Sequence, residues 1–324
     1  MRYPNVLVIG GSGFIGSHVA ARLGATGHQV LVPTRRLARA RHLLPLPTVR
    51  TVEADVMAPG ALAPLLAGVD AVVNLVGVLH GARGPAGSSY GAAFERAHVA
   101  LPAHVLAECR RAGVRRYVHL SAQGADPDAA QPLASMYLRS KSDGERVVRD
   151  ATDIDWTILR PSAVYGAEDR FLNLFARMLR YLPILPLLRA DAKLQPIHVS
   201  DVATALVNAL ENPACVGRSF ALCGPEVLTL GELARLVGRI SGHERPVYEV
   251  PDDLGRIQAM LMEWVPGQTM MSRDSFDTLG VDAVCADPVS PELGVTPAPL
   301  AVVVPTYLGS APPRFALERS RARR

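Results

Sequence analysis

Through the first half of the chain, short continuous runs of apolar residues alternate with longer segments in which apolar positions recur every three or four residues. The short runs, Asn5–Ile9, Gln29–Val32, Val49–Glu53, Ala71–Leu75, Arg116–Leu120 and Asp155–Leu159, read as strands buried on both faces. The segments between them, near Ile15–Ala25, Ala38–Leu43, Pro59–Leu66, Tyr90–Ala112 and Tyr137–Asp150, read as helices. This alternation predicts an α/β fold built on a doubly wound parallel sheet covered on both sides.

The rhythm weakens after Pro161. A helix (Phe171–Tyr181), a strand (Leu194–Val199), a helix (Val202–Glu211) and a strand (Ser219–Leu222) follow, then helices near Leu230–Ser241 and Asp253–Glu263. The expected division is a nucleotide-binding domain over 1–160 and a smaller C-terminal α/β region over 161–313 on the substrate side, from which strands are free to return to the main sheet. A basic tail over 314–324 completes it, with Leu317 to Arg324 mobile. The stretch from Ala286 to Pro313 is rich in proline and poor in periodicity, which predicts a segment wrapped over the surface. There is no internal repeat.

Composition narrows the function classes. At 49% hydrophobic and 20% charged residues, the 324-residue chain has the balance of a packed globular protein. No apolar run reaches the roughly 18 residues needed to span a bilayer, and the longest, Tyr181 to Leu188, carries two prolines. The chain opens almost directly on a buried strand, so no signal or transit peptide is expected. A net charge of +4 invites a nucleic-acid reading. The arginines, however, fall in separate clusters with no interleaved aromatics, and aromatic residues are only 5%. The cluster Arg110, Arg111, Arg115 and Arg116 brackets Gly113, where cations offset the negative end of a helix dipole. Cys109, Cys215, Cys223 and Cys285 are widely spaced and form no C-x-x-C pair, so neither a metal site nor a disulfide framework is expected. A reducing cytoplasm is the expected compartment.

The first strand runs into Gly10-Gly11-Ser12-Gly13-Phe14-Ile15-Gly16, which satisfies G-x-G-x-x-G from Gly11 and a wider spacing from Gly10. A lone glycine pattern is weak, but a strand precedes this one and an amphipathic helix follows it, as a Rossmann dinucleotide site requires. Glycines allow the tight turn and let backbone amides approach a pyrophosphate at the positive end of the helix dipole. An NAD site places an acidic residue about 20 residues further on, at the end of the second strand, to hold the ribose hydroxyls. Thr34-Arg35-Arg36 stands there instead. A guanidinium fork suits a 2′-phosphate, so NADP(H) is favoured over NAD(H), against the alternative that both arginines are solvated loop charges.

Further motifs fall at strand ends: Asp55-Val56 after the third, Asn74-Leu75-Val76-Gly77 after the fourth, and Ser121-Ala122 after the fifth. Tyr137-Leu138-Arg139-Ser140-Lys141 opens the next helix, and Arg160-Pro161-Ser162-Ala163-Val164-Tyr165-Gly166 follows the sixth strand. Together with Ile197-His198-Val199-Ser200-Asp201-Val202-Ala203, the chain resembles an extended short-chain dehydrogenase/reductase of the epimerase/dehydratase branch. Gly144-Glu145-Arg146-Val147-Val148-Arg149, Asp169-Arg170-Phe171-Leu172-Asn173, Gly217-Arg218-Ser219-Phe220 and Cys223-Gly224-Pro225 resemble an atypical subgroup. That subgroup contains the nucleotide-binding accessory subunit of mitochondrial respiratory complex I and its bacterial relatives.

The resemblance implies that Tyr137 donates or accepts a proton, that Lys141 lowers the Tyr137 pKa and holds the nicotinamide ribose, and that Ser121 orients the substrate. It also implies cofactor contacts from Asp55, Val56, Leu75, Val76, Gly77, Pro161 and Ser162. The physics agrees, since a nearby ammonium stabilises a phenolate and residues four apart share a helix face. The sequence also departs from the pattern. The stretch from Ser121 to Tyr137 is short and contains Pro127 and Pro132, and His98 stands where many members carry asparagine. His98 is read either as a replacement donor or acceptor or as a partly buried helix residue.

Met260, Met262, Met270 and Met271 lie close together beside Trp264, which suits an apolar ligand or a docking surface, although an ordinary core with methionine filler is the favoured reading. Three functions stay open: an NADP(H)-dependent oxidoreductase using Tyr137, Lys141 and Ser121; a non-catalytic nucleotide-binding structural or sensor protein; and an epimerase or dehydratase that retains its cofactor. The expected partner is a small, apolar substrate. The resemblance adds a protein partner, or a place peripheral to the inner face of a membrane.

Overall fold

The computed structural model describes all residues except 82–83, 85–87, 132, 252–272 and 310–324. The expected helix Asp253–Glu263, the methionine cluster and the basic tail lie outside the described residues.

Seven parallel strands form the central sheet, in the order β11-β6-β5-β4-β1-β2-β3. They are β1 (Asn5–Ile9), β2 (Gln29–Thr34), β3 (Val49–Glu53), β4 (Ala71–Asn74), β5 (Arg116–Leu120), β6 (Asp155–Pro161) and β11 (Arg218–Leu222). Alternate side chains of each strand serve opposite faces. Val6 and Val8 of β1 pack with Val118 and Leu120 of β5 under α1 (Phe14–Ala25) and α6 (Val199–Glu211). Leu7 and Ile9 pack with Val72 and Tyr117 on the other face, under α3 (Leu101–Ala112) and α4 (Met136–Arg149). Two buried faces explain why the central strands β1 and β4 read as apolar runs, whereas the edge strands β3 and β11 expose Arg50, Glu53, Arg218 and Ser219.

The long fourth helix is irregular. Ala92–Phe94 (α2) leads into a π-helical stretch, Glu95–Ala100, before α3 begins, and Gly113 ends α3 in the left-handed conformation at φ +75. The expected helices at Ala38–Leu43 and Pro59–Leu66 are instead short 3₁₀ turns, Leu37–Leu43 and Ala63–Leu65.

The C-terminal half adds a second layer. α5 (Leu172–Tyr181) and α7 (Leu230–Ser241) enclose a core with Leu172, Phe175, Leu185, Leu187, Leu233 and Val237. β8 (Leu185–Leu188) pairs in parallel with β13 (Val247–Val250), neither of which the apolar pattern indicates. The expected strand Leu194–Val199 is split. β9 (Lys193–Leu194) pairs with β12 (Leu228–Thr229), while β10 (Ile197–His198) pairs with β7 (Val164–Tyr165). Pro196 lacks an N–H for a ladder, and the backbone of Gly224 packs so close to its carbonyl that a Cβ there would lie 1.8 Å from the oxygen. Val199 then opens α6 and is not the end of a strand.

The described part of the proline-rich segment, 286–309, is anchored to the core. Asn208 of α6 donates to the Leu293 carbonyl oxygen at 2.8 Å, and Leu293, Leu300 and Val304 are buried. Its approach carries a correction: Cys223, just after β11, and Cys285 form a disulfide across a sequence separation of 62. Gln195 holds the two ends together, donating to the Gly224 carbonyl oxygen at 2.7 Å and accepting from the Cys285 N–H at 2.9 Å. Spacing along the chain is blind to that meeting. Cys109 and Cys215 remain free and buried.

Candidate functional site

At the carboxyl end of β1 the chain turns through Gly10 at φ +85, a conformation that side chains resist. A Cβ on Gly10 would also lie 3.1 Å from the Leu75 carbonyl carbon, so the ends of β1 and β4 meet backbone to backbone. Gly13 is the N-cap of α1, with no side-chain cap and no acidic residue in the first turn. The amides of Phe14, Ile15 and Gly16 therefore stand at a positive helix end without an internal anion. Gly16 permits the close contact of helix and turn, since a Cβ there would lie 2.1 Å from the Gly10 carbonyl oxygen. The cradle fits a dinucleotide's pyrophosphate.

Thr34 ends β2 buried, and Ser12 Oγ lies 3.4 Å from its hydroxyl. The Thr34 hydroxyl donates in turn to the Arg36 carbonyl oxygen at 3.2 Å. Arg35 and Arg36 are exposed, and neither makes an ion pair among the described residues. Asp55 accepts from the Met57 N–H at 3.1 Å and pairs with Arg96 at 3.2 Å, while Val56 packs on the core.

Lys141 is 3% exposed and donates from Nζ to the Leu120 carbonyl oxygen at 3.0 Å. Burial pushes its ammonium down to about 8, against the pull of Glu145. Gly77 leaves room for it: a Cβ there would lie 3.4 Å from Lys141 Nζ. Ser121 follows β5 directly and is buried, with an Oγ that has no hydrogen-bond partner among the described residues. Tyr137 lies one turn before Lys141 on α4, its ring edge-on to His98 at 5.6 Å. Burial first, and then Asp274, push its phenol above the ordinary range. Pro161 is buried at the end of β6. The Ser162 hydroxyl is committed to structure, donating to the Ala283 carbonyl oxygen at 2.6 Å.

His98 is a fully buried helix residue whose two ring nitrogens are both hydrogen-bonded within the chain. It is buried in the π-helical stretch and held neutral, its pKa pushed down to about 2 by burial, Lys141 and His119. Nε2 accepts from the Val78 N–H at 3.0 Å, which leaves Nδ1–H to donate to Ser140 Oγ at 2.7 Å. Ser140 Oγ donates to the Tyr137 carbonyl oxygen at 2.8 Å. π-Helical bulges recur at functional sites, and this one turns His98 onto α4. There Gly144 gives the close approach, since a Cβ on it would lie 2.1 Å from the His98 carbonyl oxygen.

Two features escaped the sequence reading. His119 and Tyr117 stack on β5, and Asn74 donates to the Tyr117 hydroxyl at 3.0 Å. Asp274, on α8 (Arg273–Leu279), caps the start of α4, accepting from the N–H groups of Met136 at 2.5 Å and Tyr137 at 3.1 Å. Ser135, the N-cap residue of α4, is the one local signal of that junction. No cluster of metal-ligating residues occurs among the described residues, and none of their helices is long and apolar enough to cross a membrane.

A glycine cradle at the end of β1, with a buried lysine and an unpartnered serine at the end of β5, defines a Rossmann protein of the NAD-binding, extended dehydrogenase/reductase type. The chain belongs to the NAD dependent epimerase/dehydratase family, whose model matches residues 6–223. It is 30% identical over 301 residues to the rat mitochondrial NADH dehydrogenase [ubiquinone] 1 alpha subcomplex subunit 9, covering 90% of this chain and 76% of that protein. It is also 30% identical over 248 residues to a ceramide reductase of Caulobacter vibrioides, covering 76% and 74% of the two chains. The structure of MoeE5 in complex with UDP-glucose and NAD shares the fold, with a TM-score of 0.70 at 22% identity over 98% of this chain and 99% of that one.

Proposed function

We propose that the chain is an NADP(H)-dependent oxidoreductase that reduces a carbonyl compound bearing apolar chains. The observation that carries this reading is the buried Ser121 Oγ, without a hydrogen-bond partner among the described residues, directly after Leu120, whose carbonyl oxygen holds Lys141 Nζ. A buried hydroxyl without a partner is costly, and a substrate oxygen would satisfy it. When bound, the nicotinamide supplies or takes up the hydride. Phe14, Ile15 and Gly16 hold the pyrophosphate through their amides, and Lys141 holds the ribose. Ser121 orients the carbonyl, and Tyr137 delivers the proton to its oxygen. The free guanidinium groups of Arg35 and Arg36 support a 2′-phosphate. The ceramide reductase relative supports the apolar substrate class.

The phenol of Tyr137 holds its proton tightly in the unliganded chain, which favours a second reading. In it the pocket retains a nucleotide without turnover, and the chain serves as an accessory subunit or sensor with a protein partner, peripheral to a membrane. The complex I subunit relative supports that reading.

The test is a titration of purified protein with NADPH and NADH, followed by incubation with NADPH and long-chain ketones. Tighter binding of NADPH, and its oxidation by a ketone in wild type but not in Tyr137→Phe, is the expected result. Tighter NADH binding would overturn the cofactor preference. Tightly held NADPH that no ketone oxidises would leave the second reading standing, and retention of NAD with epimerised product would indicate a cofactor-retaining epimerase.

A further inference from the structure

The start of α4 is held from a distant part of the chain. Its N-cap residue Ser135 accepts locally from the Leu138 N–H at 3.2 Å, while its Oγ lies 2.7 Å from Thr278 Oγ1. The first-turn amides of Met136 and Tyr137 instead point at one carboxylate, that of Asp274, which is 4% exposed. An anion at a helix N-terminus satisfies orphan N–H groups and meets the positive end of the helix dipole. Here the anion comes from a segment 137 residues away, and the amide it holds belongs to the proposed acid/base residue itself.

Other attachments of this C-terminal segment reach the same strand ends. Gln123, two residues after Ser121, donates to the Val284 carbonyl oxygen at 2.8 Å, and Ser162 donates to that of Ala283. The opposite side of α4 is fixed through His98 and Ser140 to the Tyr137 carbonyl oxygen. Tyr137 thus has its N–H held by the C-terminal region, while its C=O accepts from Ser140 of the same helix, whose hydroxyl is in turn bonded to His98 of the π-helical stretch.

We propose that Asp274 is a positioning residue for Tyr137, a clamp through which the C-terminal region sets the acid/base hydroxyl over the nucleotide site. The proposal rests on the oxidoreductase reading for its catalytic consequence, whereas the clamp itself is independent of it. Among the described residues, the charged and titratable groups around the clamp are His80, Arg139 and Asp277, with Arg170 beyond His80. His98 and Lys141 approach Tyr137 from the nucleotide side. Burial raises the Asp274 carboxyl above the usual carboxylate range. Acid therefore neutralises the clamp before it neutralises an ordinary surface aspartate.

The test uses full-length protein labelled with 15N-tyrosine, with the Tyr137 amide assigned by its loss in Tyr137→Phe. Its resonance is expected to move as acid protonates Asp274. In Asp274→Asn it should be displaced at neutral pH and should lose that movement. With a ketone found to be a substrate, Asp274→Ala should lower kcat about tenfold or more while KM changes less than about twofold, because a displaced acid/base group affects the reaction step more than binding. Asp274→Asn, which keeps one acceptor oxygen, should recover part of the loss. A Tyr137 amide unchanged in Asp274→Asn would overturn the clamp, and a KM rise at constant kcat would overturn its catalytic role. If no ketone is turned over, the function reading fails while the amide titration still decides the clamp.

Discussion

Lys141 donates its ammonium to the carbonyl oxygen of Leu120 at 3.0 Å, one residue before Ser121, and so stands at the carboxyl end of β5 with almost no exposure to water. The cost of that burial appears in its proton affinity, which falls from 10.5 to about 8. Between those values the unfolded chain binds more protons than the folded one, so stability rises with pH across the window. Below pH 8 the folded chain carries a penalty of about 3 kcal/mol for keeping the ammonium charged. Lys141→Met should therefore unfold in urea no more easily than wild type at pH 7, and should lose ground to wild type towards pH 10. Its nucleotide affinity should fall at neutral pH, and wild-type affinity should decline above about pH 8 as the ammonium is lost. A wild type that loses stability relative to Lys141→Met between pH 8 and pH 10 would contradict this account.

The nucleotide cradle depends on a contact that leaves no room for one carbon. In Gly16→Ala the new methyl would lie 2.1 Å from the Gly10 carbonyl oxygen, against 3.3 Å in Gly13→Ala. Overpacking against backbone costs about 1–3 kcal/mol and at times more. Urea unfolding should rank Gly16→Ala well below Gly13→Ala. Gly16→Ala should also weaken NADPH binding at least about tenfold, because the turn must open to accept the methyl. Equal stability of the two variants would show that the turn relaxes freely.

Where the hydrophobic pattern was unambiguous, it was sufficient. β1 and β5 begin and end at the residues that the pattern indicates, because both faces of each strand are buried; the edge strand β3 also matches, although Arg50 and Glu53 are exposed. β8 was not indicated by the pattern, because Pro183 and Pro186 interrupt the apolar run from Tyr181 to Leu188, although Leu185, Leu187 and Leu188 are buried. Residues that touch through folding alone left no trace in spacing. Asp274 on Tyr137 and Cys223 on Cys285 are of this kind. For Tyr137, Lys141 and Ser121 the resemblance pointed to one site. The structure adds the burial of Lys141, the unpartnered Ser121 hydroxyl and the π-helical turn that presents His98.

Arg116 shows how a charge pattern misleads. Arg110 and Arg111 do lie in the last turn of α3, as the cluster implies, and Arg110 pairs with Asp153 at 2.8 Å. Arg116 is instead 1% exposed, and its guanidinium serves the end of a different helix, α6. It donates to the Leu210 carbonyl oxygen at 3.0 Å, to that of Ala209, and to that of Asp155 at 2.6 Å. The planar fork satisfies three acceptors at once, which an ammonium on a flexible stem does not reproduce. Arg116→Met would leave those carbonyl groups unsatisfied and should cost about 3 kcal/mol or more. Arg116→Lys should recover only part of it. Thermal and urea unfolding measure both, and an Arg116→Met protein as stable as wild type would refute the capping role.

The disulfide between Cys223 and Cys285 closes a loop that contains α7, β13 and α8, and with α8 the Asp274 contact to α4. Constraining a loop with a separation of 62 residues lowers the entropy of the unfolded chain and contributes about 4 kcal/mol in the chain-entropy account. Gln195 bridges the same two ends without a covalent bond, so reduction should destabilise the chain without displacing residues 283–285 at once. Dithiothreitol should therefore lower the urea midpoint of wild type to that of Cys223→Ser. It should change the midpoint of Cys223→Ser little, since Cys109 and Cys215 are free and buried. Thiol counting on denatured, unreduced protein should find two reactive cysteines, rising to four after reduction. Four before reduction would show that the pair is held near by Gln195 alone, and the dithiothreitol effect should then vanish.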